Sequence, residues 1–221
     1  MNKLMTIVML LAVTAALHAQ KSVTQFLGIP VDGTKSEMIR KLKAKGFESS
    51  RYDKDVLEGE FNGHNVMLKV ATNKNKVCRI LVVDANPTDE AQIKIRFNNL
   101  CEQFESNPKY TSPGNQTIPE DEDISYEMAV KSKTYEASFA QVDTTEIINK
   151  SVALAFEKYP AEELTNPSEE ILNDIKAINY SVVNELFSNK VVWFKIEELD
   201  GEYYIAMYYD NGYNQADGSD L

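Results

Sequence analysis

Few side chains in this sequence can do covalent chemistry, and their spacing decides which kinds are open to it. The chain holds two histidines, His18 and His64, and two cysteines, Cys78 and Cys101. A serine triad needs a histidine base held by an acid. His64 follows the turn-forming Asn62-Gly63, where a solvated surface imidazole is expected. A Cys-His couple needs an exposed thiol of low pKa. Cys78 instead falls beside Ile80 and Val82 on a strand pattern, and Cys101 shares a helical stripe with Phe97, Leu100 and Phe104. A zinc site needs more ligands than these supply. The chain contains no HExxH, no GxSxG elbow and no P-loop. With 34 Asp and Glu spread along the chain, no carboxylate pair stands out as a hydrolase would require. No residue is marked as catalytic, none as a metal ligand, and no cofactor is implied.

Two oxygen-rich stretches raise the question of calcium: the acidic run "PEDED" at 119–123 and the tail "YYDNGYNQADGSDL". An EF-hand loop needs ligands at alternating positions before its glycine and a bidentate Glu six places after it. With Gly218 as that glycine, Tyr213 takes the first ligand position; with Gly212, Met207 does, and Gly218 stands where Glu should be. The composition fits calcium and the spacing does not. A charge run reads as a solvated loop, and Asp210-Asn211-Gly212 as the stop after a last strand.

The positive signal is aromatic. Trp193 lies on the run "VVWFKIEEL" and Tyr203, Tyr204, Tyr208 and Tyr209 on "EYYIAMYYD", with Tyr213 just beyond. Side chains alternate across a strand, so Tyr204 and Tyr208 share one face and Tyr203 and Tyr209 the other. If one face packs on a helix, the second presents tyrosines to solvent or to a partner, and such residues supply rigid contact area at binding surfaces. Trp193, Tyr204, Tyr208 and Tyr213 are the candidate partner-binding residues. The competing reading is aromatic pairs that stabilise the sheet alone.

The opening "MNKLMTIVMLLAVTAALHAQ" has the build of a secretory signal peptide, with Lys3 ahead of an apolar run and a cut expected after Ala19. That run is too short for a permanent anchor, so a periplasmic or secreted protein is expected, with no membrane anchor. In such a compartment Cys78 and Cys101 could close a disulfide or remain two buried thiols. The formal net charge of −11 argues against nucleic acid as a partner.

Periodicity supplies the elements. Thr34 or Ser36 caps a helix with apolar Met38, Ile39 and Leu42, and Gly46 ends it. "DVLEGEFNGHNVMLKVA" reads as a hairpin about Asn62-Gly63, "VCRILVVDA" as a third strand, and "TDEAQIKIRFNNLCEQF" as a helix. Residues 108–123, with Pro108, Pro113, Gly114 and Pro119, read as an irregular acidic linker. Beyond it "DISYEMAV", "TYEASFAQ" and "SVALAFEKY" read as strands, and "NPSEEILNDIKAINYSVVNELF" as a long helix. A last hairpin turns at Asp200-Gly201. The expectation is an α+β fold with antiparallel sheet and packed helices, arranged as a diverged tandem repeat of strand-strand-strand-helix. Its parts would be a signal peptide at 1–19, a first repeat at 20–107, the linker, a second repeat at 124–210 and a polar tail at 211–221.

The opening "FLGIPVDGTKSEMIRKLKAKGF", the hairpin "GEFNGHNV" and the ending "YYIAMYYDNGYNQADGSDL" resemble a group of uncharacterised secreted proteins of Bacteroidetes. In element order the chain also looks like β-lactamase-inhibitor-like and PepSY-like folds. That resemblance implies a protein or peptide as partner and names no contact residue; fold does not fix function. The leading expectation is thus a secreted, non-catalytic binding or accessory protein, possessing an inhibitor-like mode of action. The alternatives are a calcium- or metal-responsive periplasmic protein and a carboxylate-dependent hydrolase.

Overall fold

Capping side chains and turn residues set the elements locally. The computed structural model describes residues 22–216; the leader with its cut after Ala19, and the end of the tail with Gly218, lie outside them. A small hairpin, β1 (Gln25–Phe26) and β2 (Ile29–Pro30), opens the fold. Thr34 then caps α1 (Lys35–Lys43) in a reciprocal capping box with Glu37. Short β3 (Glu48–Ser49) leads into β4 (Val56–Phe61), β5 (His64–Asn73) and β6 (Lys76–Asp84). The β4–β5 turn has Asn62 at φ 52° and Gly63 at φ 75°, the left-handed pair of a type I′ turn. Asp89 caps α2 (Glu90–Ser106), its side chain accepting the Gln92 N–H. Next come α3 (Ile124–Lys131) and β7 (Glu136–Ala140). After three further helices, β8 (Val191–Leu199) and β9 (Glu202–Asp210) form the last hairpin, and a 3₁₀ turn over Gly212–Asn214 follows.

The fold is α+β, with helices packed on antiparallel sheet, as the sequence implies. The main sheet has seven strands in the order β3-β4-β5-β6-β9-β8-β7, every pair antiparallel. It consists of two meanders, β3-β4-β5-β6 and β7-β8-β9, whose final strands pair with each other. The recurrence is therefore one of strand meanders: the expected strand-strand-strand-helix order holds for β4, β5, β6 and α2 and fails in the second half, where helices stand in place of two of the three strands. "DISYEMAV" is helical because Asp123 caps it through the Tyr126 N–H and Ile124 and Met128, four apart, share its inner face. "SVALAFEKY" belongs to a second helix capped by Asp143. Their alternating apolar residues fit a strand by period and a helix by capping, and capping prevails.

Contacts divide the chain into two units, one over Val23–Gln141 and from Asn189 onward, the other over Val142–Ser188. The second interrupts the expected 124–210 repeat. It contains α4 (Thr144–Lys158), α5 (Ala161–Thr165) and all but the last residue of α6 (Glu169–Asn189). Within it α4 and α6 are antiparallel, tied by Lys150 to Glu185 at 2.7 Å and by Ser151 to Asn179 at 3.1 Å.

The sheet unit holds the core. Leu57, Leu68, Val82, Met207, Phe194 and Phe139 line one sheet face beneath Met38 and Leu42 of α1 and Ile93, Phe97 and Leu100 of α2. Phe97 meets Phe194 edge-on at 5.0 Å, and Phe104 stacks on Phe139 at 4.7 Å. Gly59 lies on this face because the Phe47 ring takes the place a side chain would fill.

Candidate functional site

Burial on one face of the sheet leaves the alternate residues of β6, β9 and β8 on the other, and strand register decides which of them meet. Arg79 of β6 stands opposite Asp210 of β9, and Trp193 of β8 opposite Tyr208 of β9. Directly opposed side chains on one face are close enough to pair. The Arg79 guanidinium donates through Nε at 2.5 Å and Nη2 at 2.8 Å to the two Asp210 oxygens. Trp193 Nε1 donates to Asp210 Oδ2 at 2.9 Å. The Trp193 and Tyr208 rings stack with centroids 3.9 Å apart and planes within 9°, and the guanidinium carbon lies 4.9 Å from the Tyr208 centroid and 5.6 Å from that of Trp193.

Asp210 is the buried member of this quartet, while Arg79, Trp193 and Tyr208 are half-buried. The carboxylate raises the Arg79 pKa by hydrogen bonding. The Tyr208 phenol is pushed up by burial, against the pull of Lys195 and Arg79. With both carboxylate oxygens engaged, Asp210 holds the cation and the indole in one arrangement. Tyr204 lies on the same face four residues along β9, opposite Glu197. Leu81, Val83 and Met67 continue that face across β6 and β5.

The structure thus brings Trp193, Tyr204 and Tyr208 onto one face and buries Tyr203 and Tyr209 on the other, as alternation implies. Tyr213 lies beyond the strand in the 3₁₀ turn, where its N–H bonds to Asn211 Oδ1 at 3.1 Å. Sequence reasoning missed Arg79, a cation inside the apolar run of β6, and read Asp210 only as a strand stop. The sole available signal was cross-strand register, which requires knowing that β6 pairs with β9.

The other sequence candidates take structural roles. Cys78 and Cys101 are free thiols, the second of the two readings that the sequence leaves open. Cys101 faces the core from α2, which packs over β9 and β8, while Cys78 sits on β6 at the bulge opposite Ala71 and Thr72. Burial pushes the Cys101 thiol up to about 12 and the Cys78 thiol up as well, so neither resembles an activated nucleophile. In the acidic run, Lys94 Nζ binds the carbonyls of Glu120 and Glu122, Glu122 pairs with Lys133 and Tyr135, and Asp123 caps α3. In the tail, Asn211 is buried and donates to Val31 O at 2.8 Å, and Asn214 donates to Val77 O at 2.8 Å. Among the described residues no group of three or more His, Cys, Asp or Glu is placed to hold a metal ion.

A shallow groove of about 410 Å³ lies between the β4–β5 turn, the end of β6 and one side of α2. His64, Asn62, Gln92 and Gln103 line it above Asp84 and Arg96. Arg96 donates to both Asp84 oxygens at 2.6 Å. Burial and the nearby Arg96 lower the His64 pKa. The groove's single acid is thus occupied, and no second acid or thiol faces His64 in the lining. Among the described residues no helix is long and apolar enough to cross a membrane. Compared with known proteins, the chain matches no family model, no curated protein and no solved structure.

Proposed function

We propose that this is a secreted or periplasmic, non-catalytic binding or accessory protein, inhibitor-like in mode, whose open sheet face receives a protein or peptide partner. One observation carries the reading: the stacked Trp193–Tyr208 pair with Arg79 held over it by Asp210. Tryptophan, tyrosine and arginine dominate the energetics of protein interfaces. Here they are pre-ordered, so little side-chain entropy remains to be lost on binding. The neighbouring Tyr204, Met67, Leu81 and Val83 extend an apolar surface around the quartet. The likeness in element order to β-lactamase-inhibitor-like and PepSY-like folds agrees with a protein or peptide partner.

Capture from periplasmic or secreted-fraction extracts tests the reading, with the wild type compared with Tyr204→Ala/Tyr208→Ala. Tyr180→Ala, an exposed tyrosine of α6, serves as control. The expected result is a partner retained by wild type and by Tyr180→Ala and weakened on the order of a thousandfold by the double variant, at about 2 kcal/mol for each of its two anchors. Identical profiles for all three proteins would remove the open face from consideration. Trp193, the chain's one tryptophan, then reports binding directly by fluorescence.

A further inference from the structure

β7 is an edge strand of the main sheet, and its outward backbone groups are satisfied in an unusual way. Thr111 makes a true antiparallel bridge to Ala140, with both hydrogen bonds at 2.9 Å. At Ser138, two residues earlier on the same edge, the partner is a side chain. Gln116 Oε1 accepts the Ser138 N–H at 2.8 Å, and Gln116 Nε2 donates to the Ser138 carbonyl at 3.0 Å. The carboxamide copies the donor and acceptor of a strand residue. The strap that carries it is anchored at its far end by the same device: Asn98 of α2 accepts the Ile118 N–H at 2.7 Å and donates to the Ile118 carbonyl at 2.9 Å. In an antiparallel ladder alternate residues face the same edge, so the next outward rung is Glu136. Among the described residues no hydrogen bond joins that rung to the strap, and the Glu136 side chain is exposed.

We propose that the β7 edge is a strand-addition site for an extended peptide, held closed by the 111–118 strap through Gln116. A strand entering here replaces the two Gln116 hydrogen bonds one for one with its own main chain, and gains the rung at Glu136. Main-chain pairing of this kind supplies affinity, and the alternate side chains supply selection. Glu136 selects for a cation on the incoming strand directly opposite it. The residues at 108–123 are thereby a guard for an exposed edge as well as a connection. This inference stands on the sheet edge and is independent of the open-face reading.

Fluorescence anisotropy with a labelled Lys-Thr-Val-Thr-Val-Thr-Lys peptide tests it on the full chain. Gln116→Ala is expected to bind the peptide at least tenfold more tightly than wild type, and a version of the peptide N-methylated at alternate amides is expected to bind neither. Tyr204→Ala/Tyr208→Ala should leave the affinity unchanged, which separates this site from the open face. Equal affinity for wild type and Gln116→Ala, or equal binding of the methylated peptide, overturns the proposal. Amide exchange in the wild type provides a measure that does not depend on any variant folding. Millimolar peptide should slow exchange at Ser138 while Ala137 and Phe139, bonded toward β8, stay protected throughout. An unchanged Ser138 rate overturns the proposal as well.

Discussion

At the scale of single residues, environment has reassigned roles that residue type suggested. Asp210 looked like the polar end of a strand and is instead the carboxylate that orders Arg79 and Trp193. Cys101 looked capable of a disulfide and is a core thiol whose burial lifts its pKa to about 12. That shift has a consequence for stability. Below the ordinary thiol value of 9.0 the group is protonated in both folded and unfolded chains and contributes no pH dependence. Above it the unfolded chain releases the proton and the folded chain retains it, so stability falls as pH rises toward the folded value, by about 1.4 kcal/mol per unit. Urea unfolding at pH 8 and pH 10 should therefore show wild type losing more stability than Cys101→Ala over that interval, with the difference on the order of 1 kcal/mol. Equal losses in the two proteins would refute the assignment. Tyr209, raised well above its usual value by burial, adds to the same trend at higher pH.

At the scale of elements, turns and close approaches fix the register on which the site depends. The β4–β5, β5–β6 and β8–β9 turns each place two successive residues at positive φ: Asn62-Gly63, Lys74-Asn75 and Asp200-Gly201. Such turns match strand twist and pin register; a slip of one residue would send Tyr208 to the core face. The first meander is held as tightly by packing. A Cβ at Gly59 would stand 2.5 Å from the Phe47 ring. Gly59→Ala should cost about 1–3 kcal/mol through overpacking, read as a lowered Tm, and Phe47→Leu in the same chain should restore part of it. A Gly59→Ala protein as stable as wild type would show that the ring moves freely. The misread elements, α3 and α4, teach a related lesson. Apolar residues two apart suit a strand, but Asp123 and Asp143 each accept a backbone N–H three residues on, and that local bond commits the segment to helix.

At the scale of the whole molecule, the helical unit enters between two strands that are direct neighbours. Ala140 pairs with Val191, and the Gln141 N–H bonds to the Lys190 carbonyl at 2.8 Å, so β7 and β8 stay paired up to the points where the chain leaves and re-enters the sheet. The main core draws every member from the sheet unit. Replacing residues 142–189 by Asn-Gly should therefore leave a sheet that unfolds cooperatively, with the Trp193 emission of the intact chain. Loss of a cooperative urea transition would mean that the helices are needed for the sheet to fold. The sequence alone determined the α+β class, the hairpins at Asn62-Gly63 and Asp200-Gly201, the α2 stripe, and the separation of Tyr204 and Tyr208 from Tyr203 and Tyr209. All of these follow from periodicity and turn chemistry acting within a few residues. Only the tertiary structure decided that β6 pairs with β9, which joins Arg79 to a carboxylate 131 residues away. It also turned the linker into a strap along β7 and left the two thiols apart. Those outcomes rest on which distant surfaces exclude water together, and no local pattern carries that information.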